Sequence, residues 1–140
     1  MKAIPYLYFN GNAEEAMKFY VRAFKSNPPE VMRYKEQPYP DMPAEYAEKI
    51  LHAEIITEDC VFYISDAVGQ NTVKVGNNLQ INLNCDSEEQ LRSIYDHLSE
   101  GAQIRMELQD TFWGAIFAML TDQFSISWSL NYQKTQPNRT

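Results

Sequence analysis

PYLYFNGNAEEAMKFYVRAF, residues 5–24, changes its hydrophobic period once, at the Asn-Gly-Asn in its middle. Before that point, Ala3–Phe9 alternates with period two, as a strand does. After it, Ala13, Ala16, Met17, Tyr20 and Phe24 share one helical face, with Glu14, Lys18 and Arg22 opposite. Asn12 followed by Glu15 has the form of a capping box, and Asn27-Pro28-Pro29 ends the helix. The same order returns in LQINLNCDSEEQLRSIYDHL, residues 79–98. There Leu79–Cys85 is the strand, Asp86 and Glu89 the cap-like pair, and Ser87–Glu100 the helix, ending at Gly101. A shift of 74 positions carries Met17, Tyr20, Val21 and Phe24 onto Leu91, Ile94, Tyr95 and Leu98.

Outward from these two segments the pattern continues in parallel. Glu30–Glu36 reads as a strand, Gln37–Pro43 as a loop with three prolines, and Ala44–Lys49 as a helical turn. Leu51–Thr57 and Cys60–Asp66 form a hairpin about Glu58-Asp59. Ala67–Asn78 is a polar linker broken by Gly69 and Gly76. Strands at Gln103–Leu108, Phe112–Leu120 and Phe124–Tyr132 complete the second half. The expected fold class is α+β: two βαβββ modules in tandem within a single domain of residues 1–140. Module one spans about 3–67, the linker 68–78, module two about 79–132, and a frayed tail 133–140.

The chain has 140 residues, 44% of them hydrophobic, a globular composition long enough to bury a core. Its formal charge of −7 disfavours nucleic acid and anionic membrane as partners, and no apolar run reaches membrane-spanning length. Cys60 and Cys85 each sit in an apolar run, as reduced, buried thiols do in a cytoplasmic protein.

Three segments, in order, resemble the PhnB-like branch of the vicinal-oxygen-chelate (glyoxalase/bleomycin-resistance/dioxygenase) superfamily. They are PYLYFNGNAEEAMKFY (Pro5–Tyr20), HAE…YISDA (His52–Ala67), and QDTFWGA (Gln109–Ala115) followed by TDQFSISW (Thr121–Trp128). Relatives usually carry glycine where this chain has Ala118 and Ser125, so a differently shaped last turn is expected. The resemblance implies sheets that curl around an open cleft, and a homodimer. It also brings a label, 3-demethylubiquinone methyltransferase, that the residues do not support. No glycine-rich turn follows a parallel strand to hold S-adenosylmethionine.

Metal-dependent members of the superfamily draw ligands from the first and last strand of each module. The matching positions here are Ile4, Pro5 or Tyr6, then Tyr63 or Ser65, then Gln80, and finally Ser129. Only Gln80 is a usual donor, and a divalent ion needs three or four. His52 and Glu54 share a strand face and are the rival weak candidates, with Gln80, for metal ligation, or an acid–base pair. The favoured reading is a polar cross-strand cluster, with His52 opposite Ser65 and bonded to Ser65 or Asp66, and Glu54 opposite Tyr63 and accepting from a tyrosine. No cofactor is expected, and a divalent metal is disfavoured.

Alternation sends Ala53, Ile55, Phe62, Ile64, Ile81, Leu83, Trp128 and Leu130 under the helices. The opposite faces hold the expected cleft: Tyr6, Tyr8, His52, Glu54, Tyr63, Ser65, Gln80, Asn82, Ser127 and Ser129. Trp113 is either a core plug or a ligand-stacking wall. Amides, hydroxyls and phenol rings suit binding of a small polar or aromatic molecule better than bond cleavage, and no activated nucleophile is visible. The competing readings are a metal-dependent lyase, isomerase or dioxygenase, and a non-catalytic dimeric interaction protein.

Overall fold

The computed structural model describes residues 1–37, 42–70 and 72–134. The chain forms two compact units, Met1–Lys74 and Val75–Thr140. The division falls inside the polar stretch 68–78.

In the first unit, β1 (Tyr6–Phe9) leads into α1 (Ala13–Phe24), followed by β2 (Val31–Arg33), β3 (Ile50–Ile56) and β4 (Val61–Asp66). Between β2 and β3 lie two short 3-10 turns, Tyr34–Glu36 and Ala44–Tyr46, so the strand expected to reach Glu36 stops three residues early. The rest of the expected proline loop, residues 38–41, lies outside the described residues. The sheet is mixed, in the order β1-β4-β3-β2, with β1 parallel to β4 and the other pairs antiparallel. The hairpin register is as the sequence indicates, with Ala53 opposite Ile64 and Glu54 opposite Tyr63. A register irregularity beside β2 sets Met32 opposite His52 but Arg33 opposite Ile50.

Leu7, Phe9, Ala53, Ile55, Phe62 and Ile64 are buried together with Ala13, Ala16, Met17 and Tyr20 of α1. Phe19 and Ala23 join them, whereas Phe24 is half-buried and stacks on Phe62. The expected Asn12–Glu15 capping box does not form, since Asn12 makes no side-chain cap. Asp66, at the end of β4, acts instead. Its Oδ1 accepts from Ala13 N at 3.0 Å and its Oδ2 from Ile50 N at 2.9 Å. Its carbonyl accepts from the Tyr34 hydroxyl at 2.7 Å. A buried carboxylate is a stronger acceptor than an amide, and here it ties helix, strand and 3-10 turn to one point.

The second unit repeats the plan: β5 (Ile81–Asn84), α2 (Glu88–Leu98), β6 (Gln103–Asp110), β7 (Ala115–Thr121) and β8 (Ser127–Gln133). Its sheet order is β5-β8-β7-β6, again with the first pair parallel. The fold is thus α+β, made of two βαβββ modules each with a four-stranded mixed sheet. The cap of α2 sits one residue later than expected. Ser87 Oγ accepts from Gln90 N at 3.0 Å, while Gln90 Oε1 accepts from Asp86 N at 2.7 Å.

Several strands begin later than the sequence suggests: β1 at Tyr6 rather than Ala3, β5 at Ile81 rather than Leu79, β7 at Ala115 and β8 at Ser127. Phe112 and Trp113 are not in β7 but in a turn closed by Thr111, whose backbone N–H donates to the Ala115 carbonyl at 2.8 Å and whose hydroxyl accepts from Ala115 N at 3.1 Å. Phe124 and Ile126 precede β8 in a turn organised by Asp122. Its Oδ1 accepts from Phe124 N and Ile126 N, and its Oδ2 from Trp128 Nε1 at 2.8 Å. Ser125 holds φ +69° in that turn, a left-handed conformation adopted without glycine. Ala118 is fully buried and pairs in regular register with Leu130 of β8, while the β6 side shifts register between Met106 and Gln109. The frayed tail was expected from Gln133. That residue belongs to β8, Lys134 donates to the Gly114 carbonyl, and residues 135–140 lie outside the described residues. Cys60 and Cys85 are half-buried, not fully buried as expected.

Candidate functional site

The outer face of the first sheet carries the side chains that the core face rejects. Tyr6 and Tyr8 alternate with buried Leu7 and Phe9, and their rings stack at 4.7 Å with an interplanar angle of 13°. Tyr63, paired with Tyr6, meets its ring edge-on at 5.4 Å. The His52 ring lies edge-on to Tyr63 at 4.9 Å. Tyr6 Oη is 2.7 Å from His52 Nδ1, and His52 Nε2 is 3.1 Å from Glu54 Oε1. A carboxylate only accepts, so a neutral His52 carries its proton on Nε2 and takes the Tyr6 O–H on Nδ1. Burial, reinforced by Tyr8, Tyr34, Tyr63 and Glu54, pushes the Tyr6 phenol above its ordinary value of 10.0 and keeps it a donor.

Cross-strand position offers His52 a partner in Ser65 or Asp66. Neither takes part. Ser65 is buried, with its hydroxyl against the carbonyls of Ile50 and Asp66, and Asp66 is the helix anchor. Ser65, named for the cleft, therefore faces backbone rather than an open surface.

Beside this aromatic cluster runs a groove of about 890 Å³, lined by His52, Glu54 and Ile56 of β3, Val31 and Met32 of β2, Glu36 and Gln37, and the α1–β2 connection Asn27–Glu30. Met32 and Ile56 are 43% and 58% exposed. Only His52 and Glu54 of this lining were singled out from the sequence. Ile56 continues their period-two series and could have been found. Pro28, Pro29 and Met32 reach the groove only because β2 pairs with β3.

In the second unit the named residues are engaged by hydrogen bonds of their own. Ser129 Oγ donates to Asn82 Oδ1 at 2.8 Å, and Asn82 Nδ2 to Asn84 Oδ1 at 2.8 Å, a ladder of amides across β5 and β8. Ser127 pairs with the Thr121 hydroxyl at 3.2 Å. Gln80 Oε1 accepts from the Arg105 guanidinium at 3.2 Å. Trp113 is 48% exposed and so is not a core plug; it meets Phe112 and Phe117 edge-on. His97 is an exposed helix residue bonded to the Ser93 carbonyl.

The superfamily's divalent metal does not fit these residues. The Gln80 oxygen already faces a guanidinium, which repels a cation, and the Ser129 hydroxyl is buried and donated to Asn82. Among the described residues, no group of three or more His, Cys, Asp and Glu side chains is placed to hold a metal ion.

Comparisons with known proteins agree with this architecture. The family described as 3-demethylubiquinone-9 3-methyltransferase matches residues 1–131. Protein YjdN of Escherichia coli K12 is 25% identical over 99% of this chain and all of its own. The crystal structure of PA1353 from Pseudomonas aeruginosa is 31% identical, with a TM-score of 0.84 over 96% of this chain and 99% of that one. A Bacillus cereus PhnB protein, titled a putative 3-demethylubiquinone-9 3-methyltransferase, is 26% identical, with a TM-score of 0.73 over 94% and 99%. A glyoxalase/bleomycin resistance protein from Albidiferax ferrireducens shares the fold at 14% identity, TM-score 0.60, over 92% and 98%. The duplicated βαβββ frame and the match along nearly the whole chain lead to one assignment: the chain belongs to the PhnB-like 3-demethylubiquinone-9 3-methyltransferase family, and it shares its fold with glyoxalase/bleomycin resistance proteins.

Proposed function

We propose that this protein binds a small polar or aromatic molecule, without a metal, in the groove of its first module. The observation that carries this is the groove itself: about 890 Å³, of ligand size, with His52 and Glu54 set among the apolar side chains of Val31, Met32 and Ile56. The methyl transfer in the family's description is not part of the proposal. The turn between β1 and α1 holds a single glycine, Gly11, whose carbonyl accepts from Lys49 Nζ at 2.7 Å, and the Ala13 N–H beyond it is taken by Asp66. The test is a thermal-shift screen of small polar and aromatic compounds, followed by amide chemical-shift mapping. Stabilisation with movement confined to groove amides supports the reading. Hits that move only amides of the second module would sink it.

The Tyr6–His52–Glu54 chain of hydrogen bonds favours a second reading, metal-free acid–base chemistry on the bound molecule. Under it, His52→Gln abolishes turnover of any substrate found while leaving its binding within about threefold.

A further inference from the structure

Resting on the groove as the binding site, we propose that its ligand is an amphipathic organic cation: an ammonium or amidinium group carried on an apolar body. Three carboxylates, Glu30, Glu36 and Glu54, line the groove, and no lysine or arginine does among the described residues. The nearby cations are already committed. Arg33 Nη2 lies 2.6 Å from Glu14 Oε1, with Glu48 also beside the guanidinium, and Lys35 Nζ lies 2.8 Å from Glu48 Oε1. The lining is thus acidic but partly offset: Glu36 Oε2 accepts from the Arg33 backbone N–H and lies in the field of its guanidinium, and Glu54 Oε1 meets His52 Nε2, while no lysine or arginine side chain among the described residues lines the groove itself.

His52 does not reverse that charge. Both ring nitrogens are engaged, one with Tyr6 and one with Glu54, so no spare donor is left for an anion. The bond from Nε2 to Oε1 also fixes Glu54 in one orientation and leaves Oε2 for an incoming donor. Charge by itself would suit a hydrated inorganic cation equally, but two further features select an organic one. Met32 and Ile56 expose apolar side chains in the groove that gain by being covered. The volume also far exceeds that of a single ion. A neutral ligand would cover the carboxylates without pairing them, and an anion would be repelled; a cation with an apolar body satisfies both parts of the lining.

The test uses three probes of similar size on the full chain at low ionic strength: benzylammonium, benzyl alcohol and benzoate. The expected result is that the ammonium moves the amides of Met32, His52, Glu54 and Ile56 and binds about tenfold or more tighter than either other probe. Glu30→Gln and Glu54→Gln should each weaken it about three- to tenfold, raised salt should weaken it further, and Glu58→Gln, outside the groove, should leave it unchanged. Benzyl alcohol or benzoate binding as tightly, with the same amides moving, overturns the cation class but keeps the groove. If no probe moves those amides, the cation class and the groove fall together.

Discussion

The Tyr6 hydroxyl reaches His52 Nδ1, at 2.7 Å, across an intervening strand. Tyr6 is on β1 and His52 on β3, and β4 lies between them with Tyr63 against both rings. The bond therefore runs over the outer face of the sheet, onto the ring whose other nitrogen holds Glu54 in the groove.

Removing that hydroxyl has two measurable consequences. Tyr6→Phe should cost about 1 kcal/mol in denaturant unfolding and shift the His52 Nδ1 resonance by loss of its donor, while the Nε2–H tautomer set by Glu54 remains. The wild-type minus Tyr6→Phe absorbance titration should show a phenol ionising above 10.0, because burial raises Tyr6. A group raised on folding contributes stability below its ordinary value and loses that contribution as pH climbs through the folded one, so the two proteins should converge in stability in strong alkali.

Asp66 is the structural linchpin of module one, and Asp66→Ala leaves the N–H groups of Ala13 and Ile50 buried without their acceptor. A loss of roughly 2–4 kcal/mol by urea denaturation is expected. A loss under 1 kcal/mol would mean that α1 finds another cap.

Ser125 sits at φ +69° in the turn before β8, a conformation that costs an L-residue about 1 kcal/mol and glycine little. Ser125→Gly should raise stability by about 0.5 kcal/mol, since the relief of strain exceeds the added entropy of the unfolded chain. A calorimetric melting temperature that falls would contradict the strained turn.

Glu14 is held below its ordinary value of 4.5 chiefly by the hydrogen bond from Arg33. A carboxyl lowered on folding adds stability above that ordinary value and loses it as pH falls through the folded one. The pair is partly exposed, so its worth at neutral pH is about 0.5 kcal/mol. Glu14→Gln should lose that amount at pH 7 and nothing at pH 2, read from urea midpoints across the acid range.

Several parts of this architecture were legible because they rest on local chemistry. The change of period at Asn10-Gly11-Asn12 and its repeat at Asp86-Ser87 marked both modules, and alternation separated Tyr6, Tyr8, His52 and Glu54 from Leu7, Phe9, Ala53 and Ile55. The errors fell where a side chain replaced a local signal. Asp66 took the capping role expected of Asn12, and Thr111 and Asp122 pulled Phe112, Trp113, Phe124 and Ile126 out of strands into turns.

By itself, then, the sequence determined the duplicated βαβββ order, the core faces and the presence of His52 and Glu54 on one exposed face, because periodicity and turn chemistry act between near neighbours. Only the tertiary structure decided that Tyr6 rather than Ser65 is the partner of His52, and that Pro28, Pro29 and Met32 share a groove with Glu54. Those contacts depend on strand order and on the pairing of β2 with β3. Both are set by long-range burial, which no short window of sequence records.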